Sequence, residues 1–446
     1  MHGRVIYPAV VKARGEGAVF RRLCEMAEME RWSAERVRDR QHLKLAAALS
    51  YASRHSAFYS SRWQIPDVIS GEGVIATLSQ LPLVEKSDLQ RSFDDLIARP
   101  RPRRVTRKTT GGSTGQVVTV LKDRAATASE MAASWLGYGW FGVRIGDRAV
   151  RFWGTPFTAK RRLRFAAADL AMHRIRFSAF AFDEADLERY WKRCHTFRPA
   201  YFYGYVSMLE RFASFLRDRD LDGTRLKLKC IVTTSEVLGE PQRRMLESVF
   251  GCPVQNEYGC GEVGPIAYEC PSGGLHVMSE NVFVEVLTSS RREAEVGESG
   301  EVVVTDLNNR AMPLVRYRVG DFATKGAECV CGRPFPVLEK IWGREYDFVE
   351  TPNGKQYHGE FFMYLFEELR ERGLGVGQFQ VTQAAEDSVD VIVVVDGAMS
   401  LEQEGEIRSL LTTRLDGLRV TLQRVSSIER APSGKMLVIR NLLRRR

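Results

Sequence analysis

The stretch KTTGGSTGQ, Lys108 to Gln116, runs straight into the apolar pentapeptide VVTVL, Val117 to Leu121. Thr109, Thr110, Gly111, Gly112, Ser113, Thr114 and Gly115 expose backbone N–H groups and hydroxyls with little side-chain bulk. Glycines reach the φ > 0 conformations of an anion-binding nest and hydroxyls add donors, so the segment can wrap a polyphosphate. Lys108 adds charge. VVTVL reads as a buried strand, which places the loop in a β-hairpin rather than at a helix start. No Lys-Ser or Lys-Thr pair follows the last glycine, so this is not a Walker loop. Taken alone, the segment reads equally well as a polar linker.

The chain has 446 residues, enough for one large domain plus a smaller one, or two to three modest ones. A hydrophobic content of 44% is ordinary for a globular chain. No apolar run approaches transmembrane length, and the opening MHGRVIYPAVVKARGEG lacks a signal peptide's apolar core. A cytoplasmic protein without a membrane span is expected. Eight unevenly scattered cysteines do not make a secreted disulfide framework. The net charge of +9 raises the question of nucleic acid. Basic runs stand at Arg101–Lys108, Lys160–Arg164 and Arg444–Arg446. The first adjoins the proposed phosphate loop and would attract a polyanionic nucleotide. No nucleic-acid motif accompanies them, and no nucleic-acid partner is expected.

Between Val105 and Asn309 strand-like runs (VVTVL, RAVRFW, AYFYGY, KCIVTT, CPVQNEY) alternate with helical ones at Ala125–Trp135, Val206–Leu216 and Glu240–Phe250. Such alternation predicts an α/β layer architecture. Near Gly274 the pattern changes to LHVM, VFVEVL and EVVVTDL, short strands of an antiparallel or barrel-like subdomain. A boundary is expected near Trp342-Gly343-Arg344, dividing residues 1–343 from 344–446. Beyond it come a hairpin around Pro352-Asn353-Gly354 and a helix with Phe361, Phe362, Leu365, Phe366 and Leu369 on one face, stopped by Gly373. Strands QFQVTQ and VDVIVVV, a helix Leu401–Leu415 and a strand Leu418–Val425 complete a small α+β domain. GYGWFG (Gly137–Gly142) and GCGEVG (Gly259–Gly264) both satisfy GxGxxG, but neither sits between a strand and a helix, so neither is a dinucleotide fingerprint.

Four further features stand in order after the Thr/Ser/Gly loop: Tyr258-Gly259-Cys260-Gly261-Glu262, Tyr317-Arg318-Val319-Gly320-Asp321, Gly343-Arg344 and Pro432-Ser433-Gly434-Lys435. With HSAFYSSRW, LPLVEKSDL, IVTTSEVL, AMPLVRYRVGDF and CGRPFPVLEKIWGRE, the chain resembles the adenylate-forming superfamily, most closely its phenylacetate–CoA ligase branch with capsular-polysaccharide relatives. The resemblance spans nearly the whole chain. It implies a large N-terminal adenylating domain with a β-rich subdomain and a small mobile C-terminal α+β domain. It also implies formation of an acyl adenylate from ATP and a carboxylic acid, then transfer of the acyl group to coenzyme A. By that resemblance Thr109 to Gly115 hold the β- and γ-phosphates, Glu262 helps hold Mg²⁺ and Tyr258 lies against adenine, with Gly259 beside it. Asp321 and Arg344 bond the ribose, and Lys435 bridges the carboxylate and the α-phosphate. No protein nucleophile is needed, because orientation and charge neutralisation supply the catalysis. This sequence departs from the family in carrying Gly261 before the metal-site Glu, Val319 in the YRxGD motif, and Tyr346 at the usual hinge, which leaves thioester-forming rotation less secure than adenylation.

Cys270, His276, Cys329 and Cys331 make a candidate structural zinc set, since three thiolates and one imidazole close a tetrahedron. Some relatives carry a similar cluster; buried free cysteines are the alternative. Cys260 lacks an evident base and is not read as a nucleophile. Trp140, Phe141, Tyr203, Tyr205 and Glu236 are candidates for the acid pocket, with core packing as the alternative for the aromatics. The acceptor is coenzyme A, or else an amine, a sugar or a carrier protein; a homodimer is compatible with either. An inactive nucleotide-binding scaffold is the reading from another class.

Overall fold

The computed structural model describes residues 6–443 apart from 14–16, 64–72, 112–116, 154–165, 179–180, 343–347, 354, 359–360, 363–364, 367, 370–371, 396–398, 416 and 429–438. The loop hairpin is formed by β1 (Val105–Gly111) and β2 (Val117–Asp123), antiparallel from Val105 against Asp123 to Gly111 against Val117. This is the hairpin that an apolar VVTVL run next to a Gly-rich turn predicts. Val118, Val120 and Leu121 are buried in it, and Asp123 then caps the helix Arg124–Gly139 by accepting from the Ala126 N–H.

The main sheet has eleven strands among the described residues. They are β3 (Ala149–Trp153), β4 (Arg174–Ser178), β6 (Tyr201–Tyr205), β7 (Cys230–Thr234), β8 (Val254–Cys260), β9 (Gly264–Glu269), β10 (Leu275–Val277), β11 (Val282–Leu287), β12 (Ser299–Asp306), β13 (Tyr317–Lys325) and β14 (Val337–Ile341); the short β5 (Ala181–Phe182) lies outside it. Their order is β11-β12-β13-β14-β10-β9-β8-β7-β6-β3-β4. Strands β4, β3, β6, β7 and β8 run parallel. β6 and β7 are buried along their whole length, as a strand with helices on both faces must be. Helix Val206–Asp218 links β6 to β7 and helix Glu240–Phe250 links β7 to β8, both by parallel crossovers. Gly251, at φ 62°, ends the second of these helices in the left-handed conformation that glycine adopts without strain.

At β8 the sheet changes character. The chain turns back through Gly261-Glu262-Val263 into β9, and from there every pairing is antiparallel. The strands after Gly274 therefore extend the same sheet rather than forming a separate barrel. A tight turn at the end of a parallel strand leaves the next strand no partner but the one it has just left.

The terminal residues form their own four-stranded sheet, β19-β18-β17-β20, from β17 (Val376–Ala385), β18 (Ser388–Val395), β19 (Arg419–Arg424) and β20 (Ile439–Asn441). The helix Leu401–Arg414 is capped reciprocally by Ser400 and Gln403. A hairpin of β15 (Phe348–Glu350) and β16 (Gln356–His358) stands ahead of it, as the Pro-Asn-Gly turn predicts. Phe361, Phe362, Leu365, Phe366 and Leu369 are all buried. β16 also pairs with β5, Gln356 against Phe182 and Tyr357 against Ala181, and the two regions share one continuous apolar cluster.

Candidate functional site

A cleft of about 1710 Å³ opens where the parallel strands end and the β1–β2 hairpin folds over them. Lys108 and Thr109 reach it from β1. Thr110 and Gly111 lie on the last rungs of that strand; Gly112, Ser113, Thr114 and Gly115 lie outside the described residues. The hairpin is anchored from below by charge. Lys122, with none of its surface exposed, donates to Asp306 at 2.5 Å and sits 3.0 Å from Glu130. Burial pushes the Lys122 ammonium down, but Asp306 and Glu130 outweigh burial and hold it well above the ordinary lysine range. Glu130 also accepts from Lys108, so one carboxylate ties the foot of the loop to the core.

The β8–β9 turn supplies the next wall. Tyr258, Gly259, Cys260, Gly261 and Glu262 all line the cleft. Gly259 has no room for a side chain: a Cβ there would lie 2.7 Å from the Gly264 carbonyl oxygen. Gly264, at φ 87°, lies so close to Glu130 that a Cβ would fall 2.7 Å from its carboxyl carbon. Tyr258 donates its hydroxyl to Asp321 Oδ2 at 3.1 Å, joining the turn to β13 across the cleft. Glu262 is a buried residue, and its carboxylate is a hard oxygen donor of the kind that Mg²⁺ selects. Burial, then the negative charge of Glu262, pushes the Cys260 thiol well up, which keeps it protonated and unsuited to nucleophilic attack. Arg344 and Lys435 lie outside the described residues.

On the far side the lining changes to aromatic and basic groups. Tyr203 and Phe141 both face the cleft. Tyr203 donates to Glu257 Oε1 at 2.9 Å, Tyr138 to Glu257 Oε2 at 2.9 Å, and Thr234 to Oε1 at 3.1 Å. Glu236 lines the cleft too, but its carboxylate accepts from the backbone N–H and the hydroxyl of Ser207, both at 2.7 Å, and so satisfies the first turn of the helix Val206–Asp218. Ser235 beside it takes a left-handed φ of 68°. Tyr205 does not reach the lining: it is wholly buried and stacks on Trp153, centroids 4.5 Å apart. Trp140 points elsewhere, donating to Glu30 at 2.8 Å with its ring edge-on to His276.

Pattern reading missed Arg151, Glu257, Tyr138 and Tyr7, all of which line the cleft. For Arg151 a signal existed. In RAVRFW it shares a strand face with Ala149 and Trp153, and an arginine at the centre of an apolar strand rarely points nowhere.

Cys270, which lines the cleft, converges with His276, Cys329 and Cys331, their ligand atoms all within 4.8 Å of one another. His276 Nδ1 faces the Phe335 carbonyl oxygen at 3.2 Å, which leaves Nε2 turned to Cys331 Sγ at 3.2 Å. That is how a metal-ligating imidazole is held. Gly274 gives the cluster its room: a Cβ there would lie 2.6 Å from Cys329 Sγ and 3.2 Å from His276 Nε2. The donor set fits Zn²⁺.

No protein-family model matches the chain. It is 24% identical to protein CapK of Staphylococcus aureus over 328 residues, 70% of this chain and 68% of that protein. It is 28% identical to the phenylacetate–coenzyme A ligase of Thermus thermophilus over 334 residues, 72% of this chain and 73% of that enzyme. Among solved structures, an open conformation of 2-hydroxyisobutyryl-CoA ligase, in complex with 2-HIB-AMP and CoA, superposes with a TM-score of 0.60 at 19% identity, covering 92% of this chain and 93% of that one. At that identity the likeness is one of fold.

Proposed function

We infer that this chain, which belongs to the adenylate-forming superfamily on its phenylacetate–CoA ligase branch, activates a carboxylic acid with ATP and passes the acyl group to coenzyme A. The observation that carries this reading is the convergence on one cleft of Thr109, the Tyr258–Glu262 turn and Asp321, with an aromatic pocket alongside. A carboxylate oxygen bonds to the α-phosphorus of ATP while the bond to the bridging oxygen breaks, and pyrophosphate leaves with that electron pair. The thiol of coenzyme A then bonds to the acyl carbon and loses its proton, and AMP departs. Both steps need donors preset around phosphate oxygens rather than a protein nucleophile.

Residues 1–343 would bind ATP and the acid, and residues 344–446 would bring Lys435 to the α-phosphate. The segment Thr109–Gly115 would cradle the β- and γ-phosphates, and Asp321, oriented by Tyr258, would accept from the ribose hydroxyls. Glu262 would hold Mg²⁺, which neutralises phosphate charge when bound. Cys270, His276, Cys329 and Cys331 would hold Zn²⁺, a closed set whose part is structural. None of the eight cysteines is in a disulfide, and no helix among the described residues is long and apolar enough to cross a membrane. ATP–pyrophosphate exchange against a panel of acids tests the reading: acid-dependent exchange supports it, and failure to bind ATP sinks it. An amine, a sugar or a carrier protein is the second choice of acceptor. Release of AMP that depends on coenzyme A decides between them.

A further inference from the structure

The acid side of the cleft is lined by three arginines, one of which, Arg151, makes no direct ion pair among the described residues. Arg151, Arg174 and Arg176 all line it. Arg174 and Arg176 share Asp169: Arg174 Nε donates at 2.6 Å, and Arg176 donates from Nε at 3.1 Å and from its terminal nitrogen at 3.2 Å. Arg151 lies in register with Arg176 on one side and Tyr203 on the other. Its guanidinium stacks 4.2 Å above the Tyr203 ring centroid and 5.5 Å from that of Trp153. Its Nε is buried and has no hydrogen-bond partner, and no ion pair is made by Arg151 among the described residues. The charge of Glu257 acts on Arg151, but the hydrogen bonds of the nearby carboxylates go to other groups. Glu257 accepts from Tyr138, Tyr203 and Thr234, and Glu236 from Ser207.

A guanidinium held in a cavity wall without an anion is unfavourable unless a ligand provides one. Its distance from the nucleotide side says which part of the ligand that is. The guanidinium lies over Tyr203 of β6, two strands from β8 in the order β8-β7-β6-β3, which at ordinary strand spacing is about 10 Å from the backbone of Tyr258. The reacting carboxylate must meet the α-phosphate at the Tyr258–Glu262 end, so it is not the group that Arg151 holds. We propose that the acid activated here carries a second anionic group at its far end, a dicarboxylate or its equivalent, which Arg151 binds as the ion-pair partner that the protein withholds. The stacking of Arg151 on Tyr203 and Trp153 fixes the guanidinium plane and leaves its edge for a carboxylate. The substrate class rests on the adenylation reading above; the anion site itself does not.

The test separates the two. Full-length protein is titrated calorimetrically, and assayed by ATP–pyrophosphate exchange, with matched acids that differ only in the far group: phenylacetate against 4-carboxyphenylacetate, and hexanoate against adipate. The expected result is binding and kcat/KM about tenfold to a hundredfold better for the diacid of each pair. That preference should be lost in Arg151→Met and largely retained in Arg151→Lys. Equal or better binding of the monoacids by the wild-type protein overturns the proposal without any variant having to fold. A diacid preference unchanged in Arg151→Met overturns it too. Selective diacid binding with no exchange supports the anion site and counts against adenylation; exchange with monoacids alone does the reverse.

Discussion

Lys122→Met removes the only cation wholly enclosed beneath the β1–β2 hairpin among the described residues, and its cost can be worked from the contacts. Lys122 holds Asp306 at 2.5 Å and Glu130 at 3.0 Å with none of its own surface exposed. Breaking such a pair by removing one partner costs about 3–5 kcal/mol, because a buried charge is left behind. Here the remaining carboxylates keep other donors. Asp306 Oδ1 still accepts from the N–H groups of Asn308 and Asn309, and Glu130 still accepts from Lys108. The loss should therefore fall at the lower end, about 3 kcal/mol. The pH dependence follows from the raised folded pKa of Lys122. Its stabilisation is complete below the unfolded lysine pKa of about 10.4 and fades only as pH rises through the still higher folded value. At neutral pH the full loss is expected, and between pH 6 and 9 it should not change through this group. Urea unfolding followed by tryptophan fluorescence measures it. A ΔΔG below about 1 kcal/mol would refute the reasoning, showing that Lys122 pays in desolvation what it gains from its partners. A functional arm accompanies the stability: with Lys122 gone, Glu130 should draw Lys108 inward and raise the KM for ATP more than that for the acid.

The other expectations concern the nucleotide, the lysine and the metal. Tyr258→Phe removes one hydrogen bond to Asp321, and the KM for ATP should rise about twofold to tenfold; an unchanged KM would mean that Asp321 is oriented without it. Lys435→Ala should abolish adenylate formation while ATP binding persists, because its contact develops in the transition state; wild-type exchange in that protein would remove Lys435 from the mechanism. Elemental analysis should find about one zinc per chain, lost with a lower unfolding midpoint in Cys331→Ser. Gly274→Ala should weaken metal retention as well, since its Cβ would lie 2.6 Å from Cys329 Sγ. A metal-free wild-type protein of the same stability would retire the zinc assignment.

The wall proposed for the nucleotide could be picked out in the sequence because it is built from short contiguous runs. Tyr258 to Glu262 is such a run, closing β8 and opening the turn into β9, where composition alone limits what the backbone can do. The acid side is written differently. Arg151, Tyr203, Thr234 and Glu257 come one from each of four strands and meet only through register, Arg151 against Tyr203 and Thr234 against Glu257. A one-residue slip in any of these strands would turn its side chain to the opposite face, and nothing local in the sequence states the register. The aromatics chosen from proximity to the loop fared unevenly for the same reason. Trp140 and Phe141 are adjacent just past a helix end, and one turns to His276 while the other faces the cleft.

Why the two sides meet where they do follows from the sheet. β8 is the last parallel strand, and its carboxyl end is the point at which pairing reverses to β9. In open α/β sheets the crevice at such a change is where strand ends and connecting loops leave space that no crossover helix fills. Glu257 and Tyr258 are neighbours on β8, and alternation sends one toward Tyr203 and the other toward Asp321. One peptide unit thus divides the acid wall from the nucleotide wall. Any shift of β8 would disturb both walls together, whereas a change at Arg151, three strands away, would alter the acid wall alone. On the proposed function, selectivity for the acid could therefore change at β3 and β4 while the Tyr258–Glu262 turn kept the geometry of the phosphates.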